Sequence, residues 1–458
     1  MSKLITSLVI ALVYFLIEVV YLYNNNIDVF FYGLSSLVII SLCIGCCLYY
    51  RDFSFTFIFI SLTVLFIYSK FIAFLISGDQ YYYSVTNLFD SIEIDDNVTV
   101  DIFRTYTIII ICLYFLSSIF YSKIDIVLRK NDRFLVATLI ANSCVVSILF
   151  IPYIYLQINY IQGIWNSSYL AIYTESKVAI LNMMSRILYV ALPLNFILGL
   201  LLSRKSFVFL LVFVVFLVLE ILPGQRGHVV LLVLSLISWI YLSKNKQINL
   251  KKMFVISLIC VFLFAAMDVL RGAKYYDVGA IAHMFDGYGM PLNVHQYVYY
   301  YQEELRTDGS YSLFGVIEYF NRLLKINNLN IDYGLRSEEL YDVTTYLGHK
   351  LTGIVNKKAW LAGYGTGSPF VMELMLDTGY VPAIFLVLVL FSLYLKFSSS
   401  SFLMSNPYFG LMYVTIFPYM IYLSRSTLST MFPKLIFVSI YYFVLIILAH
   451  LIYKFVKK

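Results

Sequence analysis

Four arginines stand inside or beside long apolar stretches of the sequence, where a charged side chain is costly: Arg186, Arg226, Arg271 and Arg425. The guanidinium group offers a planar fork of donors that suits phosphate oxygens, and it keeps its charge at any relevant pH. The set therefore predicts a site for an anionic, membrane-embedded substrate such as a lipid pyrophosphate. The alternative is that these residues form ion pairs between helices, as Asp268 and Arg271, three residues apart, could do.

Tyrosine is the second residue type with a possible role in binding, since the chain contains 42 of them. Tyrosine rings stack on sugars and their hydroxyls form hydrogen bonds with sugar hydroxyls, so Tyr275, Tyr276, Tyr299 and Tyr300 are candidate glycan-binding residues. Tyrosine is also common at membrane interfaces because it is amphipathic, and this explains most of the excess.

The glycine-rich stretch at 363–369 has two interpretations. Its backbone amides could bind phosphate, or it could be a tight turn that leads into a helix. It lacks the Lys-Ser or Lys-Thr ending of a nucleotide-binding P-loop and follows no strand. The five histidines and six cysteines show no spacing of metal ligands. We therefore expect neither a metal nor a cofactor.

The elements that must position these residues are membrane helices. Of the 458 residues, 61 % are hydrophobic and only 13 % are charged, against about 25 % charged in an ordinary soluble domain. This composition excludes a soluble enzyme and predicts an all-α polytopic membrane protein. Twelve apolar stretches have the length of a spanning helix: 4–23, 29–50, 53–77, 104–121, 134–156, 181–202, 206–223, 228–243, 253–270, 370–395, 406–424 and 434–453.

The distribution of basic residues predicts the orientation. With the N-terminus in the cytoplasm, sixteen of the 32 lysines and arginines fall in short cytoplasmic connections and at the two termini. We therefore expect helices 1–9 in residues 1–270, a large helical periplasmic loop or cap at 271–369, and helices 10–12 in residues 370–458. The N-terminal stretch is expected to be a retained helix and not a signal peptide.

The order of the short motifs resembles that of the Wzy-type O-antigen polymerases. The resembling residues are Gly-Gln-Arg-Gly at 224–227, Arg271-Gly272, the large loop, Gly-Thr-Gly-Ser at 365–368 followed by Glu373, Asp377 and Gly379, and Leu-Ser-Arg at 423–425. The resemblance covers about 150–440.

The resemblance implies a GT-C-like fold and a bacterial inner-membrane enzyme that acts at the periplasmic leaflet. Such enzymes transfer a growing glycan from undecaprenyl pyrophosphate to a new lipid-linked repeat unit. The partners implied are these lipid-linked oligosaccharides, membrane lipid, a chain-length regulator and a flippase. Nothing suggests a nucleic-acid partner.

The implied reaction needs cations for the leaving pyrophosphate and a base for the incoming hydroxyl. The four arginines supply the first without a metal, which predicts a metal-independent enzyme. Candidate bases are Glu373, Asp286, Glu318 and His349.

Two other classes share the composition. The O-antigen ligases carry a histidine just before the span that follows their large loop, where this chain has Gly-Thr-Gly-Ser. Flippases also have about twelve spans, but they usually show repeat symmetry and short loops, and this sequence shows neither.

Overall fold

A computed structural model of the chain describes residues 2–23, 28–50, 55–86, 91–120, 132–166, 178–203, 207–223, 226–244, 279–306, 310–313, 316, 338–344, 346–361, 365–428 and 431–457. Its architecture is helical, as the composition predicts, apart from one antiparallel pair of two-residue strands, β1 (Val85–Thr86) and β2 (Ile92–Glu93). The chain divides into two compact units, and each contains more than one segment of sequence.

The first unit comprises Met1–Tyr121, Lys246–Lys396 and Tyr419–Ser429. Its N-terminal helices are α1 (Ser2–Tyr23), α2 (Val29–Tyr49), α3 (Phe55–Ser77), α4 (Tyr81–Ser84) and α5 (Asp96–Phe120). Asp28 caps α2, because its carboxylate accepts a bond from the amide of Phe30 at 2.8 Å. Within α3, residues Val64–Tyr68 form a π-helical turn, a distortion that is frequent at functional sites.

The second unit comprises Ser122–Asn245, Phe397–Pro418 and Thr430–Lys458. Its first helices are α6 (Arg133–Asn166), α7 (Ala179–Leu201), α8 (Phe207–Ile221) and α9 (Arg226–Lys244). A buried amide pair joins α6 to α7, where Asn142 donates to the side chain of Asn195 and to the carbonyl of Ala191, each at 2.7 Å. Buried polar groups need such partners in a membrane as in a soluble core.

The chain then returns to the first unit through the region between the ninth and tenth predicted spans. The helices of that region are α10 (Gly279–Tyr288), α11 (Met290–Tyr300), α12 (Gln302–Leu305), α13 (Glu338–Val343) and α14 (Leu347–Leu361). In place of the tenth predicted span follow α15 (Phe370–Thr378) and α16 (Tyr380–Ser398). The last helices are α17 (Ser401–Met404), α18 (Pro407–Ile421) and α19 (Met431–Lys457).

The loop predicted at 271–369 is mostly helical in the residues that the structure describes, and it has a core of its own. Val294, Tyr297, Leu305, Leu347 and Leu351 are buried together, and Met372 of α15 completes this core. Residues 314–315 and 317–337 of this loop lie outside the described residues.

Among the described residues, eight helices are long and apolar enough to cross a membrane, by length and composition. Three shorter apolar helices, Val208–Ile221, Val229–Leu242 and Pro407–Ile421, correspond to the predicted spans 206–223, 228–243 and 406–424. The predicted span 253–270 lies outside the described residues.

The predicted continuous span at 370–395 is wrong, because the helix is interrupted at Gly379. This residue has φ +86° and ψ 173°, a combination that is essentially restricted to glycine. It separates the short helix α15 from α16, and only α16 has the length of a spanning helix. Hydropathy alone does not register such a break, because the sequence is apolar on both sides of it.

Candidate functional site

The first unit contains a cavity of about 390 Å³, within the range of about 300–1,000 Å³ that is usual for small-molecule sites. Helix α5, the pair α11–α12 and the junction between α15 and α16 form its walls. The lining residues are Asp101, Arg104, Val298, Tyr299, Gln302, Arg306, Met372, Met375, Leu376, Gly379 and Tyr380.

The polar wall of the cavity is built around Arg104. Its Nη1 lies 2.8 Å from Oδ1 of Asp101, one turn earlier on α5. Its Nε lies 3.1 Å from Oε2 of Glu18 on α1. One guanidinium group is thus shared by two carboxylates, which compensate its charge and fix its position.

Glu18 is in turn held by two tyrosines. The hydroxyl of Tyr14 donates to Oε1 at 2.5 Å, and the hydroxyl of Tyr32 donates to the same oxygen. The guanidinium of Arg104 also lies 5.5 Å from the centre of the Tyr32 ring. This network joins α1, α2 and α5 and makes the polar wall rigid.

The part of the wall that α11 forms is positioned by two buried side chains of that helix. His295 Nδ1 donates to the carbonyl of Pro291 at 2.6 Å, so Nε2 accepts from the hydroxyl of Tyr106 on α5 at 2.7 Å. Burial lowers the pKa of His295 to about 4, which keeps the ring neutral. Gln296 donates to the Tyr83 carbonyl at 2.7 Å and to the Thr99 hydroxyl at 3.1 Å. Tyr299 follows one turn later.

The apolar wall continues the core of the loop region. Tyr299, Met375 and Leu376 are partly buried against that core, and they also line the cavity. Burial raises the pKa of Tyr299, so its hydroxyl stays protonated. The sequence also proposed its neighbour Tyr300 for glycan binding, but Tyr300 is exposed and does not line this cavity.

Two of the stretches that carry the family resemblance, 365–373 and 423–425, meet at the start of α15. The amide of Phe370 donates to the carbonyls of Leu423 and Ser426, at 3.1 Å and 3.2 Å. The hydroxyl of Ser368 donates to one oxygen of Glu373, and that of Thr427 donates to the other at 2.8 Å. Stretches that are far apart in the sequence are thus adjacent in the fold.

Glu373, a candidate base, is almost completely buried in this arrangement. It lies on α15, outside the helices of spanning length. Burial raises its pKa, and the hydrogen bonds from Ser368 and Thr427 lower it by a smaller amount. The resulting pKa is about 8. A carboxyl group with a pKa near neutrality can accept or release a proton at physiological pH.

The described residues of the glycine-rich stretch, 365–369, are neither helix nor strand and lead directly into α15. Gly367 has φ +84°, a conformation that glycine adopts without strain. The amide of Thr366 donates to the Thr352 hydroxyl at 3.0 Å. A Cβ atom on Gly348 would lie 2.6 Å from the Gly367 carbonyl oxygen, so the two backbones need glycine to approach this closely.

Of the four arginines predicted to bind pyrophosphate, Arg425 belongs to the first unit and has a side chain that the structure describes. It is exposed, and its guanidinium lies 5.3 Å and 5.8 Å from the ring centres of Phe66 and Tyr422. Phe66 belongs to the π-helical turn of α3. The charge is therefore supported by aromatic faces and is accessible from outside the protein.

Two further candidate bases have defined surroundings. Asp286 on α10 forms an ion pair with the fully buried Lys70 of α3. His349 on α14 lies between the rings of Tyr346 and Trp360, at centroid distances of 4.9 Å and 5.9 Å, and its Nδ1 lies 3.4 Å from the Thr344 hydroxyl. Neither residue lines the cavity.

The remaining predicted residues are placed only in part. Arg186 is exposed on α7, and Arg226 is the first residue of α9, with its side chain outside the description. Four residues lie outside the described ranges: Arg271, Tyr275, Tyr276 and Glu318. Among the predicted site residues that the structure describes, Tyr299 alone lines the cavity.

The sequence analysis missed the polar cavity residues Asp101, Arg104, Gln302 and Arg306. One signal was present, because Arg104 and Glu18 are charged residues in apolar stretches with no role in topology. Their pairing required the packing of α1 against α5 to be known. In the ranges that the structure describes, no three His, Cys, Asp or Glu residues are grouped as metal ligands would be.

A family model described as O-antigen polysaccharide polymerase Wzy matches residues 3–458 of the chain. No curated protein and no solved structure matches the chain. The match covers nearly the whole sequence, including every residue of the cavity and of the Glu373 cluster.

Proposed function

The chain belongs to the O-antigen polysaccharide polymerase Wzy family, and from this membership we infer that it joins undecaprenyl-pyrophosphate-linked oligosaccharide repeat units into a surface polysaccharide. The observation that carries this proposal is the family match over residues 3–458. The eight helices of spanning length agree with a multi-pass membrane enzyme whose substrates are lipids.

In the proposed reaction the growing glycan moves from its carrier lipid to a new lipid-linked repeat unit. The bond between the anomeric carbon and the pyrophosphate oxygen breaks, and a bond from that carbon to an acceptor hydroxyl oxygen forms. The hydroxyl proton passes to a base, and undecaprenyl pyrophosphate leaves with the bonding electron pair.

We assign the binding and neutralisation of the leaving pyrophosphate to Arg226 and Arg271, with Arg186 and Arg425 as further candidates. Arg425 agrees with this role, because its guanidinium is exposed and supported on two aromatic rings. For the base, Glu373 has a pKa of about 8 in its favour. Asp286, Glu318 and His349 remain alternatives to Glu373.

We place the reaction at the periplasmic leaflet of the bacterial inner membrane, with both termini in the cytoplasm. The support is the distribution of basic residues along the sequence. A flippase that delivers the repeat units and a regulator of chain length are the expected partners.

Deleting the gene tests the proposal, because the lipopolysaccharide of the deletion strain reports the step that is lost. Loss of a polymerase leaves a band with a single repeat unit. Bare core would contradict the proposal and indicate a flippase or a ligase. Expression of the wild-type chain from a plasmid should restore the ladder of longer glycans.

The proposed use of arginines predicts that no divalent ion is needed. Purified protein should elongate lipid-linked repeat units in the presence of EDTA at the rate seen without it. Complete loss of elongation that magnesium or manganese restores would show that the mechanism depends on a metal.

A further inference from the structure

The cavity beside Arg104 is a candidate binding site for one of the two parts of the substrate, the pyrophosphate or the glycan. The charges of the residues around the cavity indicate which part it is. A lipid-linked repeat unit has an anionic pyrophosphate and a glycan rich in hydroxyl groups. Arg104 is bonded to both Glu18 and Asp101, so this cluster of three residues has a net negative charge. An exposed ion pair with Glu303 at 3.3 Å compensates Arg306. A pyrophosphate would meet no uncompensated cation among these residues.

The same wall suits a neutral polyol. A sugar hydroxyl can donate to a carboxylate and accept from a guanidinium at the same time. Asp101 and Arg104 present both groups 2.8 Å apart at the cavity surface. Their mutual salt bridge and the bond to Glu18 fix them before any ligand binds, which lowers the entropic cost of binding.

Helices α11 and α15 supply apolar surface to the cavity. Tyr299 and Met375 line the cavity, and they belong to the edge of the buried core of the loop region. His295 and Gln296, on the preceding turn, hold the backbone of Tyr299 against α5. An aromatic ring held in this way can pack against the C–H face of a pyranose while the polar wall binds its hydroxyls.

We infer that this cavity is a glycan subsite that binds an uncharged sugar residue of the repeat unit, and that the pyrophosphate lies elsewhere. The inference rests on the proposed function, since it assigns one part of the proposed substrate. It agrees with the placement of Arg425, which is exposed and does not line the cavity.

The test measures binding without turnover. The probe is the oligosaccharide of one repeat unit, released by mild acid from its lipid pyrophosphate carrier. Saturation-transfer NMR with the protein in nanodiscs should show transfer to its sugar protons. We expect Tyr299→Ala and Asp101→Asn each to weaken binding about tenfold, which is one decade in Kd.

Tyr155→Ala is the matched control, because it removes a tyrosine that is 68 % exposed on α6 in the other unit. This variant should bind the oligosaccharide as the wild type does. Melting temperatures are measured for all variants. A Tyr299→Phe variant keeps the aromatic ring, so it should retain binding if the loss in Tyr299→Ala is due to the missing ring.

Inorganic pyrophosphate is the competitor that decides between the two halves of the substrate. It should leave the oligosaccharide signal unchanged, and its displacement of the oligosaccharide would overturn the inference. Unaltered binding by well-folded Tyr299→Ala and Asp101→Asn proteins would overturn it as well.

The outcomes also separate this inference from the proposed function. A wild-type protein that elongates lipid-linked repeat units but does not bind the free oligosaccharide refutes the subsite alone. A wild-type protein that binds the oligosaccharide through Tyr299 but does not elongate repeat units refutes the polymerase and keeps the subsite.

Discussion

At the scale of single residues, the structure separates two kinds of charged group. Arg104 and Glu18 neutralise each other inside the first unit, whereas Arg425 presents its guanidinium at the surface. Only the second kind has charge to offer an anionic substrate. Arg104 and Arg425 have chemically identical side chains, so this difference comes from the partners that the fold supplies to each of them.

The arginines assigned to the pyrophosphate give the first prediction at this scale. A hydrogen bond between charged groups is worth about 1.5–3 kcal/mol, so Arg226→Ala and Arg271→Ala should each slow elongation about ten- to a hundredfold. Lysine keeps the charge but not the fork, so Arg226→Lys should lie between alanine and the wild type. Glycan ladders are measured together with the amount of folded protein in the membrane.

If these arginines only hold helices together, the alanine variants should show lower expression or a lower melting temperature and normal activity per folded molecule. Wild-type ladders from well-expressed Arg226→Ala and Arg271→Ala proteins would remove both residues from the site.

Glu373 gives the second prediction at this scale. Its pKa is raised from 4.5 to about 8 in the folded protein, so the folded chain binds this proton more tightly than the unfolded chain does. The stabilisation is therefore complete below about pH 4.5, and it is lost as the pH rises through about 8. Glu373→Gln resembles the protonated form and should reduce the fall in melting temperature between pH 5 and pH 9.

The measurement is thermal unfolding of both proteins in the same detergent across this range. Matched controls are Glu303→Gln and Glu304→Gln, since both residues are exposed. An unchanged slope for Glu373→Gln would show that this carboxyl group does not contribute to the pH dependence.

At the scale of elements, the ion pair between Lys70 and Asp286 joins a membrane helix to the loop region. Lys70 lies just after the π-helical turn of α3, and Asp286 lies on α10. A Cβ atom on Gly289 would lie 2.6 Å from Cγ of Lys70. The junction of α10 and α11 therefore packs closely on α3, and α11 carries Tyr299 to the cavity.

Removing one partner of a buried ion pair leaves the other charge without compensation, which typically costs about 3–5 kcal/mol. We expect Lys70→Met and Asp286→Leu each to lower the free energy of unfolding by about this amount. The double variant should be closer to the wild type, since no buried charge is left. Denaturation in detergent micelles measures all three variants against the wild type.

A double variant as unstable as the single variants would show that the pair does not hold α10 on α3. Elongation by the double variant provides a separate result. A stable double variant without activity would favour Asp286 as the base, whereas full activity would leave Glu373, Glu318 and His349 as the candidates.

At the scale of the whole molecule, the prediction concerns topology. The loop at 271–369 should be periplasmic and the connection between the predicted spans 228–243 and 253–270 cytoplasmic. Single cysteines placed at Asp308 and at Asn245 in a cysteine-free background test this. An impermeant thiol reagent should label the first site in intact spheroplasts and the second only after lysis. The opposite pattern would reverse the orientation and move the proposed site to the cytoplasmic leaflet.

The sequence by itself determined the class of protein and most of its helices. Long apolar stretches require helices in a membrane, because every backbone amide and carbonyl must be satisfied within the segment. Hydropathy therefore located the eight helices of spanning length that the structure describes. The order of short motifs identified the family that the match over residues 3–458 confirms.

Only the tertiary structure decided which side chains meet. The break at Gly379 depends on a backbone conformation that hydropathy does not register. The pairing of Arg104 with Glu18 joins residues 86 positions apart, and that of Lys70 with Asp286 joins residues 216 positions apart. Periodicity is a local property of a sequence, whereas these contacts depend on which helices pack together. This is why residue type could single out Tyr299 as a candidate, while the pairing of Arg104 with Glu18 could not be predicted.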